Sequence, residues 1–149
     1  VRMVHVDASK KSVEAARGNA ALSGMANAPV RWIIDDAAKF VAREVRRGRR
    51  YHGILLDPPK YGRGPEGEIW RLEEHLAPLV ADCRRLLDEN SRFLFLTVYA
   101  VRMSALAIGE LVRQIFADLP GTVEAGELGV REEARGLVLP TAIWARWRR

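Results

Sequence analysis

The sequence predicts an α/β fold: a mostly parallel sheet flanked by helices, with an antiparallel C-terminal edge. Two observations predict it. Short apolar runs, at Met3–Val6, Val30–Ile34, His52–Leu56 and Phe93–Tyr99, alternate with amphipathic stretches of helical period. The pattern then changes to two strand-like segments, about Thr122–Val130 and Leu137–Trp147, joined by the short polar link Arg131–Gly136, which reads as an antiparallel pair.

Each element has a local reason. Met3–Val6 is a strand, followed by a helix over Ser9–Ser23 with Ser9 as N-cap and Gly24 as stop. Val13, Ala16, Ala20 and Ala21 give that helix an apolar face of small residues. Val30–Ile34 is the second strand and Asp36–Arg47 the second helix, with Phe40, Val41 and Val45 as its apolar stripe. The third strand, His52–Leu56, leads into a glycine-rich loop, Tyr61–Gly67. A long helix is expected from about Ile69 to Leu87, with Leu72, Leu76, Leu79, Val80, Cys83, Leu86 and Leu87 on one face and a kink or break at Pro78. Phe93–Tyr99 is apolar enough for a central strand, and Ser104–Ala117 is the fourth helix.

With 149 residues, 48% of them hydrophobic, the chain suits one domain over residues 1–149. No window approaches the ~18 apolar residues of a membrane span, and the start reads as a strand rather than a signal peptide. Because it begins with Val inside a structural element, the chain is expected to be a piece of a longer protein. A single cysteine excludes an internal disulfide framework and a cysteine-based zinc cluster, and fits a reducing cytoplasm. His5, His52 and His75 lack ligand spacing, so no metal site is expected. The net charge of +5 is concentrated in Arg43–Arg50 and Arg146–Arg149. These clusters suit a polyanionic partner; a solvated helix end and a ragged terminus account for them equally well.

The most informative stretch is Asp57-Pro58-Pro59-Lys60-Tyr61-Gly62, directly after the third strand. In an open α/β sheet, ligands bind outside the carboxyl ends of the strands. An ordinary turn needs one Pro or one Gly, not this combination. Asp57 and the Pro58 carbonyl can accept hydrogen bonds from an exocyclic amino group on a base, and Tyr61 can stack on a flat ring. Two further carboxylates sit at comparable places. Asp7 ends the first strand, where it can accept from both hydroxyls of a ribose or serve as an ordinary residue ahead of a helix. Asp35 and Asp36 end the second strand, where one can meet an adenine amino group and either can cap the helix. Three successive strand ends thus offer a carboxylate on one edge of the sheet.

This constellation resembles the class I S-adenosylmethionine-dependent methyltransferases, which have a Rossmann-like sheet. Asp57-Pro58-Pro59-Lys60 and the following Tyr61-Gly62-Arg63-Gly64-Pro65-Glu66-Gly67-Glu68 are similar to the bacterial ribosomal-RNA methyltransferases related to the large-subunit cytosine-C5 enzymes. So are Leu96-Thr97-Val98-Tyr99-Ala100-Val101-Arg102 and Leu128-Gly129-Val130-Arg131-Glu132-Glu133. The resemblance implies S-adenosyl-L-methionine as cofactor, ribosomal RNA as partner and methyl transfer to a base as the activity. It implies that Asp7, with Ala8 and Ser9, holds the ribose hydroxyls, and that Asp36 meets the adenine amino group with Ala37 beside the ring. Asp57, Pro58 and Pro59 would line the junction of methyl donor and target base, and Lys60 and Tyr61 would face the substrate.

Two departures qualify these expectations. The family's first strand and its glycine-rich loop, which precede the ribose-binding Asp, are missing, so the fragment is expected to bind cofactor poorly by itself. No Cys follows the fourth strand, whereas cytosine-C5 chemistry needs a thiolate; Cys83 falls on the apolar face of the long helix as inert core. Amino-group methylation needs no covalent nucleophile and suits Asp-Pro-Pro better, although its usual motif has an aromatic where Lys60 stands. The alternative is a non-catalytic RNA-binding module of the same fold. A nicotinamide-dependent oxidoreductase gives no reason for Asp-Pro-Pro-Lys-Tyr.

Overall fold

The computed structural model describes residues 2–149. Its elements are β1 (Met3–Asp7), α1 (Lys10–Leu22), β2 (Val30–Ile34), α2 (Ala37–Arg46), β3 (Gly53–Leu56), β4 (Tyr61–Arg63), β5 (Ile69–Arg71), α3 (Leu72–Arg84), β6 (Phe93–Val98), α4 (Ala105–Ile115), β7 (Thr122–Arg131) and β8 (Val138–Arg148). One sheet has the order β3-β6-β8-β7. In it β3 and β6 are parallel, while β8 runs antiparallel to both β6 and β7. β1 and β2 form a separate parallel pair, and β4 with β5 an antiparallel hairpin.

The core is built on β6. Its alternation sends Leu94, Leu96 and Val98 into the interior, each fully buried, and leaves Phe93, Phe95 and Thr97 on the other face. Against this row pack Leu72, Leu76, Leu79, Val80 and Cys83 from α3, and Ile108 and Val112 from α4. β8 closes the core with Ala145 and Trp147, whose ring centroid lies 5.3 Å from that of Phe116. Each fully buried Leu or Val contributes about 1.5–3 kcal/mol of transfer free energy.

α2 caps on Asp36, whose carboxylate accepts from the Lys39 amide at 2.9 Å, and buries Phe40 and Val41 as its stripe requires. It also buries Glu44. The Tyr51 hydroxyl donates to Glu44 at 2.6 Å and Arg47 donates at 3.1 Å, so the buried charge is paired. The Tyr51 hydrogen bond first, and Arg47 with it, hold the Glu44 carboxyl below its ordinary range.

Four local expectations change. The segment expected as a loop at Tyr61–Gly67 begins a hairpin: Tyr61 pairs with Arg71, Gly62 with Trp70 and Arg63 with Ile69, around a turn in which the Gly67 amide donates to the Gly64 carbonyl. The following helix therefore starts at Leu72 rather than Ile69 and ends at Arg84, with Leu86 and Leu87 buried beyond its end. It also runs unbroken through Pro78, because the buried stripe on both sides of Pro78 outweighs the one amide that proline lacks. In α1 only Val13 is buried, and Ala21 is exposed.

Among the described residues β1 hydrogen-bonds only to β2 and β3 only to β6, so each has one unpaired edge. Val4, Val6 and Ile33 of the small sheet nevertheless pack against the main core. No helix among these residues is long and apolar enough to cross a membrane.

Because Leu96 is fully buried in the central strand, Leu96→Ala is expected to lower unfolding free energy by about 2–5 kcal/mol. Urea denaturation of the two proteins measures this, and a loss below ~1 kcal/mol contradicts the assignment of β6 as the centre of the core.

Candidate functional site

The carboxyl ends of β1 and β2 are fixed together by their register, Asp7 opposite Ile34, and by the Asp35 amide donating to the Asp7 carbonyl at 3.1 Å. The chain leaves β1 through a tight turn in which one Asp7 carboxylate oxygen accepts from the Ser9 amide at 2.7 Å. Ser9 in turn caps α1, accepting from the Ser12 amide at 3.2 Å. Ala8 and Ala37 are half-buried in the two turns. The acidic pair divides its work: Asp35 is ion-paired with Arg43, and Asp36 caps α2.

The third carboxylate stands at the end of β3. Leu56 pairs with Leu96, which places Asp57 beside Thr97, and the Thr97 hydroxyl donates to Asp57 Oδ1. Pro58 is buried and anchors the turn, while Asp57, Pro59, Lys60 and Tyr61 are exposed. The Trp70 indole donates to the Pro59 carbonyl at 2.6 Å, and the Leu72 amide to the Lys60 carbonyl at 3.0 Å. Two consecutive carbonyls of the motif are thus held by the hairpin and the start of α3, while the Tyr61 ring remains 53% exposed.

Lys39 in the first turn of α2 joins the two halves of this edge. Its ammonium pairs with Glu66 at 2.7 Å and with Glu68, both at the hairpin turn. The ends of β1, β2 and β3 therefore share one side of the molecule. Asp7, Asp36 and Asp57 each accept a local hydrogen bond on Oδ1, and among the described residues Oδ2 of each has no protein donor. The result is a row of carboxylate oxygens with open acceptor capacity.

The same edge continues past β6. Ala100 adopts a positive φ of 56°, an uncommon conformation for a residue with a side chain. Beside it opens a cleft of about 260 Å³, lined by Tyr99, Ala100 and Met103 on one side and by Glu127, Thr141 and Ile143 of the β7–β8 hairpin on the other. Cys83 lies elsewhere: it is 1% exposed, and burial pushes its thiol up to about 12. No thiol of this chain therefore stands at the carboxyl edge.

The structure brings the sequence-derived candidates Asp7, Asp36 and the Asp57 segment to one side of the molecule; sequence reasoning did not anticipate the Lys39 bridge to the hairpin or the contacts of Trp70 and Thr97 with the Asp57 segment. A signal for the hairpin was present: Tyr61-Gly62-Arg63 and Ile69-Trp70-Arg71 flank a Gly- and Pro-containing turn.

No family model matches the sequence. The ribosomal RNA large subunit methyltransferase I of Tolumonas auensis is 29% identical over 121 residues, covering 78% of this chain and 28% of the relative. The protein of the same name from Escherichia coli is 25% identical over 130 residues, covering 84% of this chain and 30% of the relative. The chain thus spans under a third of the length of these relatives. Among solved structures, a SAM-dependent methyltransferase from Agrobacterium tumefaciens superposes with a TM-score of 0.94 at 44% identity, over 97% of this chain and 48% of that one. A methyltransferase structure complexed with SAH superposes with a TM-score of 0.74 at 16% identity, over 99% of this chain and 39% of that one. The α/β arrangement described above is the fold of SAM-dependent methyltransferase structures.

The Lys39 tie generates a pH prediction. Hydrogen bonding to Lys39, more than any other influence, depresses the Glu68 carboxyl to about 2. Glu66 first, and Glu68 second, raise the Lys39 ammonium above its ordinary 10.5. A depressed acid and a raised base both favour the paired state between these limits, so the tie is complete above about pH 4.5 and is lost as pH falls toward 2. The Trp70 indole resonance is expected to shift in that acid window, and Lys39→Met is expected to remove the shift. An identical titration in the variant contradicts the tie.

Proposed function

We propose that this chain is part of the catalytic domain of an S-adenosylmethionine-dependent methyltransferase acting on a base of ribosomal RNA. The observation that carries the reading is the row of three strand-end carboxylates, each with one oxygen fixed and one open, beside a rigid Asp-Pro-Pro turn. The relatives named for ribosomal-RNA methylation support the substrate class. The residues fit the cofactor: open carboxylate oxygens at the ends of β1 and β2 are acceptors for paired hydroxyls and for an amino group.

In this reading, S-adenosylmethionine supplies an activated methyl group on a sulfonium. Asp7 accepts from the ribose hydroxyls, with Ala8 and Ser9 forming the turn that presents it. Asp36 accepts from the adenine amino group, and Ala37 leaves room beside the ring. Asp57, oriented by Thr97, accepts from the target base, while Pro58 and Pro59 keep the turn from moving. Lys60 and Tyr61 face the RNA, Tyr61 as a stacking platform. With no thiol at the edge, the chain's own contribution is position and electrostatics, which suits an amino-group target better than covalent attack on cytosine. The unpaired edges of β1 and β3 leave room for a further strand beside each.

Calorimetric titration of the full-length protein with S-adenosylmethionine tests the cofactor assignment. Asp7→Ala is expected to weaken binding by about 10- to 100-fold, as for loss of a charged hydrogen-bond acceptor. Unchanged affinity sinks the assignment. Thr97→Val is expected to lower the rate of methyl transfer about tenfold, with cofactor affinity unchanged, because it frees the carboxylate that orients the base. An unaltered rate removes Asp57 from its positioning role.

A further inference from the structure

The two basic clusters of the sequence converge at the amino edge of the main sheet, opposite the carboxylate row. β3 and β6 are parallel and in register from Gly53 and Phe93, so the residues just before them stand side by side. The Arg92 amide donates to the His52 carbonyl at 2.6 Å, and the Arg149 amide to the Arg92 carbonyl at 3.0 Å. A cleft of about 320 Å³ opens at this junction, lined by Arg50, Tyr51, His52, Asp88, Asn90 and Arg92.

The cleft carries a net positive charge, Arg50 and Arg92 against Asp88, on a hydrogen-bonded frame. Its backbone is fixed by the buried Ser91, whose hydroxyl donates to the Tyr51 carbonyl at 2.6 Å and accepts from the Asp88 amide at 3.0 Å. Two nearby carboxylates are ion-paired, Glu44 with Arg47 and Glu124 with Arg146 and Arg148. Asp88 lines the cleft and accepts from the Asn90 amide at 2.9 Å, and Arg50 and Arg92 together outweigh its single negative charge. Arg50 and Arg92, which line the cleft, form no ion pair among the described residues, nor do Arg46, Arg49 and Arg149 of the two clusters, whereas Arg43, Arg47, Arg146 and Arg148 do. Two guanidinium groups with no carboxylate partner, lining an opening of this size, suit a phosphate group in charge and in hydrogen-bonding capacity.

We propose that this amino-edge cleft binds the phosphodiester backbone of RNA at a contact separate from the base being modified. The inference rests on the RNA reading above and adds a second point of attachment to it. β3 has four residues, so the cleft and the Asp57 turn are separated by about 13 Å along the strand. Contacts to phosphate carry no base preference; they orient the nucleic acid, while the opposite edge selects the base.

The test uses the full-length protein and a fluorescein-labelled RNA hairpin of mixed sequence, with affinity measured across a range of KCl concentrations. Replacing both cleft arginines, Arg50→Gln with Arg92→Gln, is expected to reduce the slope of log affinity against log salt by about 2. Arg50→Lys with Arg92→Lys is expected to keep most of that slope. Arg113→Gln with Arg135→Gln, which alters exposed arginines outside the cleft, is expected to leave it unchanged. S-adenosylmethionine affinity, measured on each variant, verifies that the fold is intact. A parental slope in the cleft variant overturns the inference while leaving the transferase reading in place, and so does an equal loss in the Arg113 and Arg135 control. RNA binding with the expected slope change but no S-adenosylmethionine binding in the parent overturns the transferase reading and leaves the cleft.

Discussion

The register between β3 and β6 is the constraint on which both core and site depend. It turns Leu94, Leu96 and Val98 inward and places Thr97 beside Asp57. A slip of one residue would bring the other face of β6 inward and separate the hydroxyl from the carboxylate it orients. The interaction that gives Asp57 its direction is therefore secured by the apolar core rather than by anything at the site. The same strand also fixes β8 through the pairing of Val98 with Ile143, which sets the wall of the cleft beside Ala100. One buried strand thereby positions two neighbouring parts of the carboxyl edge.

Much of this was legible in the sequence because the information is local. The alternation of β6, the Phe40 and Val41 stripe of α2 and the Ser9 and Asp36 caps each follow from residues within a few positions of one another. The carboxylates at the ends of β1, β2 and β3 were legible for the same reason: an acidic residue directly after an apolar run marks a strand end. What was not legible depends on contacts distant in sequence. The ammonium of Lys39 meets Glu66 and Glu68, and Thr97 meets Asp57, only once the sheet has formed. Pro78 misled in another way. A rule about one residue was overridden by a buried face running from Leu72 to Cys83, whose packing keeps the helix continuous through it.

The amino and carboxyl edges of the sheet carry opposite chemistry for a topological reason. A parallel pair such as β3 and β6 sends all its leaving turns to one side and all its entering turns to the other. The leaving turns contain Asp57 and, in the small sheet, Asp7 and Asp36. The entering turns contain Arg50, His52 and Arg92. Both edges are mixed in charge, with Lys39, Arg43 and Lys60 at the carboxyl edge and Asp88 at the amino edge, but the open carboxylate oxygens follow strands and the cleft arginines precede them. Such a distribution suits a polyanion held at one edge while acceptor groups act at the other.

The parts of the site also differ in how firmly they are held. The Asp57 turn hangs from the four-stranded sheet, and its Pro59 and Lys60 carbonyls are fixed by Trp70 and Leu72. Asp7 and Asp36 belong to the two-stranded sheet, where α1 buries only Val13 and the attachment to the main core runs through Val4, Val6, Ile33, Phe40 and Val41. A two-stranded sheet with a lightly buried helix has little stability of its own. The carboxylates at its ends therefore owe their placement to α2 and to the Lys39 bridge as well as to the β1–β2 register. Where one half of a site is rigid and the other is held by a helix and an exposed ion pair, a ligand spanning both contributes to the order of the weaker half. In this chain the Asp57 turn is the fixed reference, and Asp7 and Asp36 are the groups whose positions a bound molecule would secure.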